Sequence, residues 1–105
     1  MAVFRILEAT ARPGAIERLS ELLVQQEREV VANAEGIVFV QSLRSGDSVL
    51  AVSSWRTVED MQRYLDQPVT SEFYRTLPEL LMGRPSVRTY EVISPDGGAN
   101  GWGSA

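Results

Sequence analysis

Trp55 stands where an apolar run, Val49–Trp55, gives way to Thr57-Val58-Glu59-Asp60. The β-branched and small residues of the run read as a strand. Thr57 with Asp60 reads as a helix N-cap, a hydroxyl and a carboxylate answering orphan N–H groups. An indole at a strand-to-helix junction either packs as core or lines a cleft between sheet and helices. The other groups able to do chemistry are Glu8, Arg5, Arg44, Tyr64 and Tyr74. Glu8 is the candidate base, expected mid-strand and buried on a face with Phe4 and Ile6; the alternative is an edge position paired with an arginine. Arg5 and Arg44 suit the holding of a phenolate or enolate, or else surface or dimer ion pairs. Tyr64 and Tyr74 suit hydrogen bonding to a quinone oxygen, or packing with only their hydroxyls in water. Ser53 and Ser54, beside Trp55, are weaker candidates.

Composition narrows that chemistry. The 105 residues contain no Cys and no His, which removes disulfides, thiol nucleophiles, Cys- or His-based metal sites and the usual general base of catalytic triads. A carboxylate-only metal site is not expected, since Glu27 and Glu29, like Glu59 and Asp60, read as solvated helix faces. All ten basic residues are arginine and the net charge is -4, which argues against nucleic acid as a partner. No apolar run is long enough to span a bilayer, and Met1–Arg5 lacks the pattern of a signal peptide, so no membrane partner is expected and the cytoplasm is the default.

The elements that must position these groups follow from periodicity. Val3–Ala11 reads as a first strand, with Phe4, Ile6, Glu8 and Thr10 on one face and Val3, Arg5, Leu7, Ala9 and Ala11 on the other. Pro13-Gly14 breaks it. Ile16, Leu19, Leu22, Leu23 and Val30 then mark an amphipathic helix of four to five turns that ends near Asn33–Gly36. Ile37–Leu43 is a second strand, with Ile37, Phe39 and Leu43 set against Val38 and Val40. Ser45-Gly46-Asp47 is a hairpin turn into the third strand, Val49–Trp55. The capped helix after it carries Val58, Met61, Tyr64 and Leu65 on one stripe. Pro68 interrupts it; Thr70 or Ser71 can cap a continuation bearing Phe73, Tyr74, Leu77, Leu80 and Leu81, which Pro78 bends or ends. Val87–Ile93 is the fourth strand.

The order β-α-β-β-α-β predicts an α+β, ferredoxin-like fold: one antiparallel sheet with its helices on one face. Strands apolar on both faces then need a second cover that so short a chain does not carry. A second copy of the same sheet supplies it, so a homodimer is expected. The Gly-rich segment Ser94–Ala105, with Trp102 its one large apolar group, is expected to lie outside the folded domain of residues 1–93, either disordered or docked as an arm on a partner.

Phe4 leading to Pro13-Gly14, the Gly36-Ile37 entry to the second strand and the Trp55–Leu65 segment resemble the antibiotic biosynthesis monooxygenase domain, over roughly residues 3–93. The resemblance implies a dimeric α+β barrel. Its members include cofactor-free oxygenases of anthrones or quinols, haem degraders and enzymes of small signalling molecules. The haem-degrading branch's strand Asn, helix Trp and iron-ligating His fall on Leu7, Tyr64 and Tyr74, so haem degradation is not expected. Of the anthrone-oxidising branch's Asn, Trp and Tyr, Trp55 matches, whereas the other two positions hold Ala51 and Met61. The implied function is a monooxygenase without cofactor or metal, oxidising a small phenolic, anthrone or quinol molecule. Glu8, Trp55, Tyr64 and Tyr74 would act in catalysis, and Arg5, Leu7, Arg44, Met61 and Phe73 would contact substrate. The competing expectation is a non-catalytic dimeric barrel that binds a small apolar ligand or serves as an interaction module. Either way, an apolar cavity between sheet and helices is expected near Trp55, Tyr64, Phe73 and Tyr74.

Overall fold

Strand β1 (Val3–Thr10) places its odd-numbered side chains against the helices and its even-numbered ones on the opposite face, and the rest of the fold is arranged around that division. The computed structural model describes residues 2–94. After β1 come helix α1 (Ile16–Asn33), strands β2 (Ile37–Ser45) and β3 (Ser48–Trp55), helices α2 (Val58–Leu65) and α3 (Pro68–Thr76), a 3-10 turn (Leu77–Glu79) and strand β4 (Ser86–Glu91). The strands form one antiparallel sheet in the order β2-β3-β1-β4, the ferredoxin-like arrangement expected from the element order. No helix among the described residues is long and apolar enough to cross a membrane.

The hairpin between β2 and β3 closes in two residues. Gly46 takes φ +60° at the first turn position, which a residue with a Cβ adopts only under strain. At the other end of β2 a bulge between Ile37 and Phe39 leaves Val38 unpaired and 61% exposed. The bulge corrects the face assignment made from strict alternation. Ile37 and Val40 both point to the helices, whereas Phe39 and Leu43 lie on the open face, because one extra residue reverses the side-chain alternation past it.

Thr57 caps α2 as expected, its Oγ1 accepting from the Asp60 N–H at 3.0 Å. Met61 and Tyr64 are buried beneath that helix, but Val58 is 48% exposed, so the buried stripe is narrower than periodicity suggested. The continuation past Pro68 is capped differently from expectation. Gln67 is the N-cap and Pro68 the first helical residue, where a missing N–H costs nothing. Thr70 is instead buried inside α3 and its hydroxyl donates to the Tyr64 carbonyl oxygen at 2.8 Å, tying the two helices together. Pro78 ends α3 in the 3-10 turn, and Arg12 ties that region to β1: a terminal nitrogen donates to Pro78 O at 3.2 Å and Nε to Leu81 O, beyond the turn, at 2.9 Å.

The sheet register assembles the helix-facing side into rows running across β1, β3 and β2. These are Val3–Trp55–Ile37, then Arg5–Ser53–Val40, then Leu7–Ala51–Ser42, then Ala9–Val49–Arg44. The apolar core follows those rows. One cluster gathers Val3, Val30, Trp55, Met61 and Tyr64; the other gathers Leu7, Ala9, Leu19, Leu23, Val49, Phe73, Leu77 and Leu81. The row holding Arg5 and Ser53 lies between them. Residues 95–105, including Trp102 and the arm suggested for it, lie outside the described residues.

Candidate functional site

Where the two core clusters part, a half-enclosed cavity of about 70 Å³ opens between the sheet, α1 and the α2–α3 pair. Leu7, Leu23, Val30, Val40, Ala51 and Phe73 give it apolar walls, and Trp55, Tyr64 and Tyr74 line it as expected. Trp55 is 1% exposed and stacks on Tyr64, with ring centroids 5.3 Å apart. Its Nε1–H donates to Ser53 Oγ at 3.0 Å, so the indole is both core and wall. Phe73 and Tyr74 meet edge-on at 5.2 Å.

Two polar pairs and one buried phenol set the electrostatics. Arg5 reaches from the central strand to Tyr74, donating to Oη at 2.6 Å with its guanidinium 5.8 Å from the ring centroid. That combination of hydrogen bond and cation–π contact offsets part of the cost of withdrawing a guanidinium from water. Across the cavity, Glu27 Oε1 accepts from Ser42 Oγ at 3.1 Å. Gln26, one residue earlier on α1, donates from Nε2 to Tyr64 Oη. Burial holds the Tyr64 hydroxyl above its ordinary value of 10.0, and the hydrogen bond from Gln26 pulls the other way.

The remaining expected site residues lie elsewhere. Glu8 is exposed on the open face, because its even position in β1 points away from the helices; the burial expected for it is not found. Arg44 is exposed at the end of β2 and pairs with Glu17 at 3.1 Å, beside an outer groove rather than in the cavity. Met61 is buried in the same core cluster as Trp55 but does not line the cavity. Conversely, Gln26, Glu27 and Ser42 line it without having been singled out for chemistry. By sequence position Glu27 reads as part of a solvated helix face. Its place four residues after Leu23 and three before Val30 was the available signal, since all three share one side of α1. Ser42 was hidden by the bulge, which alone decides which face of β2 it occupies.

The raised Tyr64 value has a consequence for stability. The folded state keeps this phenol protonated at pH values where the unfolded chain has begun to release it. The associated stability is therefore complete below about pH 10 and is lost as pH rises through the folded value. Absorbance titration of tyrosinate should show a component above 10.0 that Tyr64→Phe lacks, and alkaline loss of stability should be shallower in that variant. Identical titrations and identical alkaline stability would place Tyr64 in water.

No protein-family model and no curated protein matches the sequence. Solved structures do match. Rv0793 from Mycobacterium tuberculosis superposes with a TM-score of 0.83 at 19% identity, over 90% of this chain and 97% of that one. A protein from Deinococcus radiodurans, described as a "putative antibiotic biosynthesis monooxygenase", gives 0.81 at 17% identity over 88% and 93%. PA3566 from Pseudomonas aeruginosa gives 0.78 at 18% identity over 89% and 95%. Identities this low carry the fold and leave the chemistry to the residues of the cavity. The chain has the fold of the structures described as antibiotic biosynthesis monooxygenases.

Proposed function

We propose that the chain is a cofactor-independent monooxygenase of the antibiotic biosynthesis monooxygenase type, acting on a small phenolic or quinol molecule in the cavity beneath Trp55. The observation that carries this reading is the cavity itself: aromatic walls, with one guanidinium and one carboxylate among its lining residues. Its volume favours a single ring over a three-ring anthrone, since about 70 Å³ lies well below the ~300 Å³ at which ligand pockets usually begin.

A reaction of this kind needs a substrate that supplies its own electrons. A hydroquinone and dioxygen give a hydroxyquinone and water. One oxygen atom enters a ring carbon, the other leaves as water, and the four electrons come from the ring. Loss of the phenolic proton makes the ring able to pass one electron to dioxygen; the resulting radical pair closes a C–O bond, and the peroxide formed sheds water. The protein's part is to accept the first proton, steady the anion and exclude bulk water. With Glu8 on the far face, Glu27 would take the proton and Arg5 with the Tyr74 hydroxyl would meet the anion; all three line the cavity.

The same reading includes a homodimer. The sheet face opposite the helices carries Phe4, Ile6, Phe39, Leu43, Val52 and Tyr90 around a broad groove of about 490 Å³, and no element of this chain's described residues crosses it. A second copy brings the same apolar face and the same twist, which is the self-complementarity a two-fold interface requires. Sedimentation equilibrium at micromolar concentration should give twice the 11.6 kDa chain mass; a folded monomer under those conditions would remove this part of the reading.

Oxygen uptake with a panel of hydroquinones, catechols and other phenols, in the presence of chelator and without flavin, tests the activity. A substrate should be consumed at a rate that rises with pH through one apparent ionisation. Glu27→Gln should lower that rate on the order of 10²-fold, with Glu8→Gln close to wild type. No uptake across the panel, with apolar ligands still bound, would favour the non-catalytic binding module. Loss of rate in Glu8→Gln alone would move the chemistry to the open face.

A further inference from the structure

The cavity is built to take a negative charge, and we infer that among one-ring aromatic molecules it prefers those that also carry a carboxylate. This rests on the reading of the cavity as a ligand site and adds the chemical class of what enters it. Among the described residues no carboxylate pairs with Arg5, although four other arginines have acidic partners. A guanidinium carries five N–H donors, and among the described residues Arg5's side chain makes one hydrogen bond, to Tyr74. Arg5 is partly buried, the cavity walls are largely apolar, and Glu27 across the cavity is not within ion-pair distance, so an arriving anion is stabilised there.

The hydroxyls nearby point the same way. Tyr74 Oη already accepts from Arg5, and Ser53 Oγ already accepts from the Trp55 indole, so each has its hydrogen left to donate. Ser53 is the register partner of Arg5 in the adjacent strand, which puts a hydroxyl and the guanidinium on one row. A carboxylate offers two oxygens and about four lone-pair sites, enough to take several of these donors together; a phenolate offers one oxygen. The single acidic group of the lining, Glu27, is engaged by Ser42 on the β2 side of the cavity. Size sets the other limit. About 70 Å³ is roughly half of the ~150 Å³ that encloses a benzene ring, so a ring stands partly in the mouth while its acid group reaches Arg5.

Calorimetric titration with benzoate and with benzamide, its neutral counterpart of the same shape, tests this. Benzoate should bind about tenfold more tightly or better, the margin shrinking with added salt. Arg5→Met should bring the two ligands to within about twofold of each other while leaving benzamide nearly unchanged. Should Arg5→Met not fold, Tyr74→Phe keeps the ring over the guanidinium and removes only the hydroxyl. It should lower benzoate affinity severalfold and spare benzamide. Equal binding of benzoate and benzamide by the wild type, or a preference for benzoate that survives both substitutions, overturns the inference. The oxygen-uptake panel separates this result from the activity. Turnover of uncharged quinols without benzoate selectivity leaves the monooxygenase reading standing and this inference wrong. Benzoate selectivity without turnover does the reverse.

Discussion

A guanidinium on the helix-facing side of the central strand is the constraint around which this fold is organised. Position 5 of β1 lies between Val3 and Leu7, both buried on the helix-facing side, and an arginine there cannot be packed over as a leucine would be. Its charge must find a partner or water. Tyr74 supplies the partner from α3, and the apolar core divides into two clusters on either side of the Arg5–Ser53–Val40 row. The cavity is the gap so formed. Trp55, at the end of β3, closes it on one side by stacking on Tyr64, and Phe73 closes it on the other by its contact with Tyr74.

The placement of Tyr74 depends in turn on a break in the second helical segment. Pro68 restarts the chain as α3 after Gln67, and the buried Thr70 hydroxyl fastens that restart to the end of α2. Gly36 serves a similar end at the start of β2. With φ +82° and the Asp60 side chain against its Cα, it allows the strand to begin directly under the first turn of α2, where its carbonyl accepts from the Arg56 N–H at 2.9 Å. A side chain at position 36 would meet Asp60 and push that helix away from the sheet.

Element order, the Thr57 cap, the Gly46 turn and the four aromatic walls were legible in the sequence because each is local: a period, a cap residue or a glycine with one geometric use. The composition of the cavity was less legible because it depends on register. The bulge at Val38 reverses the facing of everything after it in β2, so Val40 and Ser42 turn inward, and no local pattern in Ile37–Ser45 marks where the extra residue sits. Glu8 illustrates the converse. Alternation placed it on the face with Phe4 and Ile6 correctly, but which face the helices cover is decided by the whole chain, and they cover the other one. Glu27 was legible as helical and not as functional, since a carboxylate at the margin of an amphipathic helix is ordinarily solvated; the turn of β2 toward it gives it Ser42 as a neighbour.

The two faces of the sheet thus carry separate tasks in this account: ligand chemistry on the helix side, self-association on the other. The most direct test is an experimental structure of the protein soaked anaerobically with hydroquinone. On this account the ring should stand in the mouth of the cavity against Tyr64 and Tyr74, with its inner hydroxyl toward Arg5. A ring lodged instead in the open-face groove among Phe4, Ile6 and Phe39, with the cavity beneath Trp55 unchanged, would contradict it.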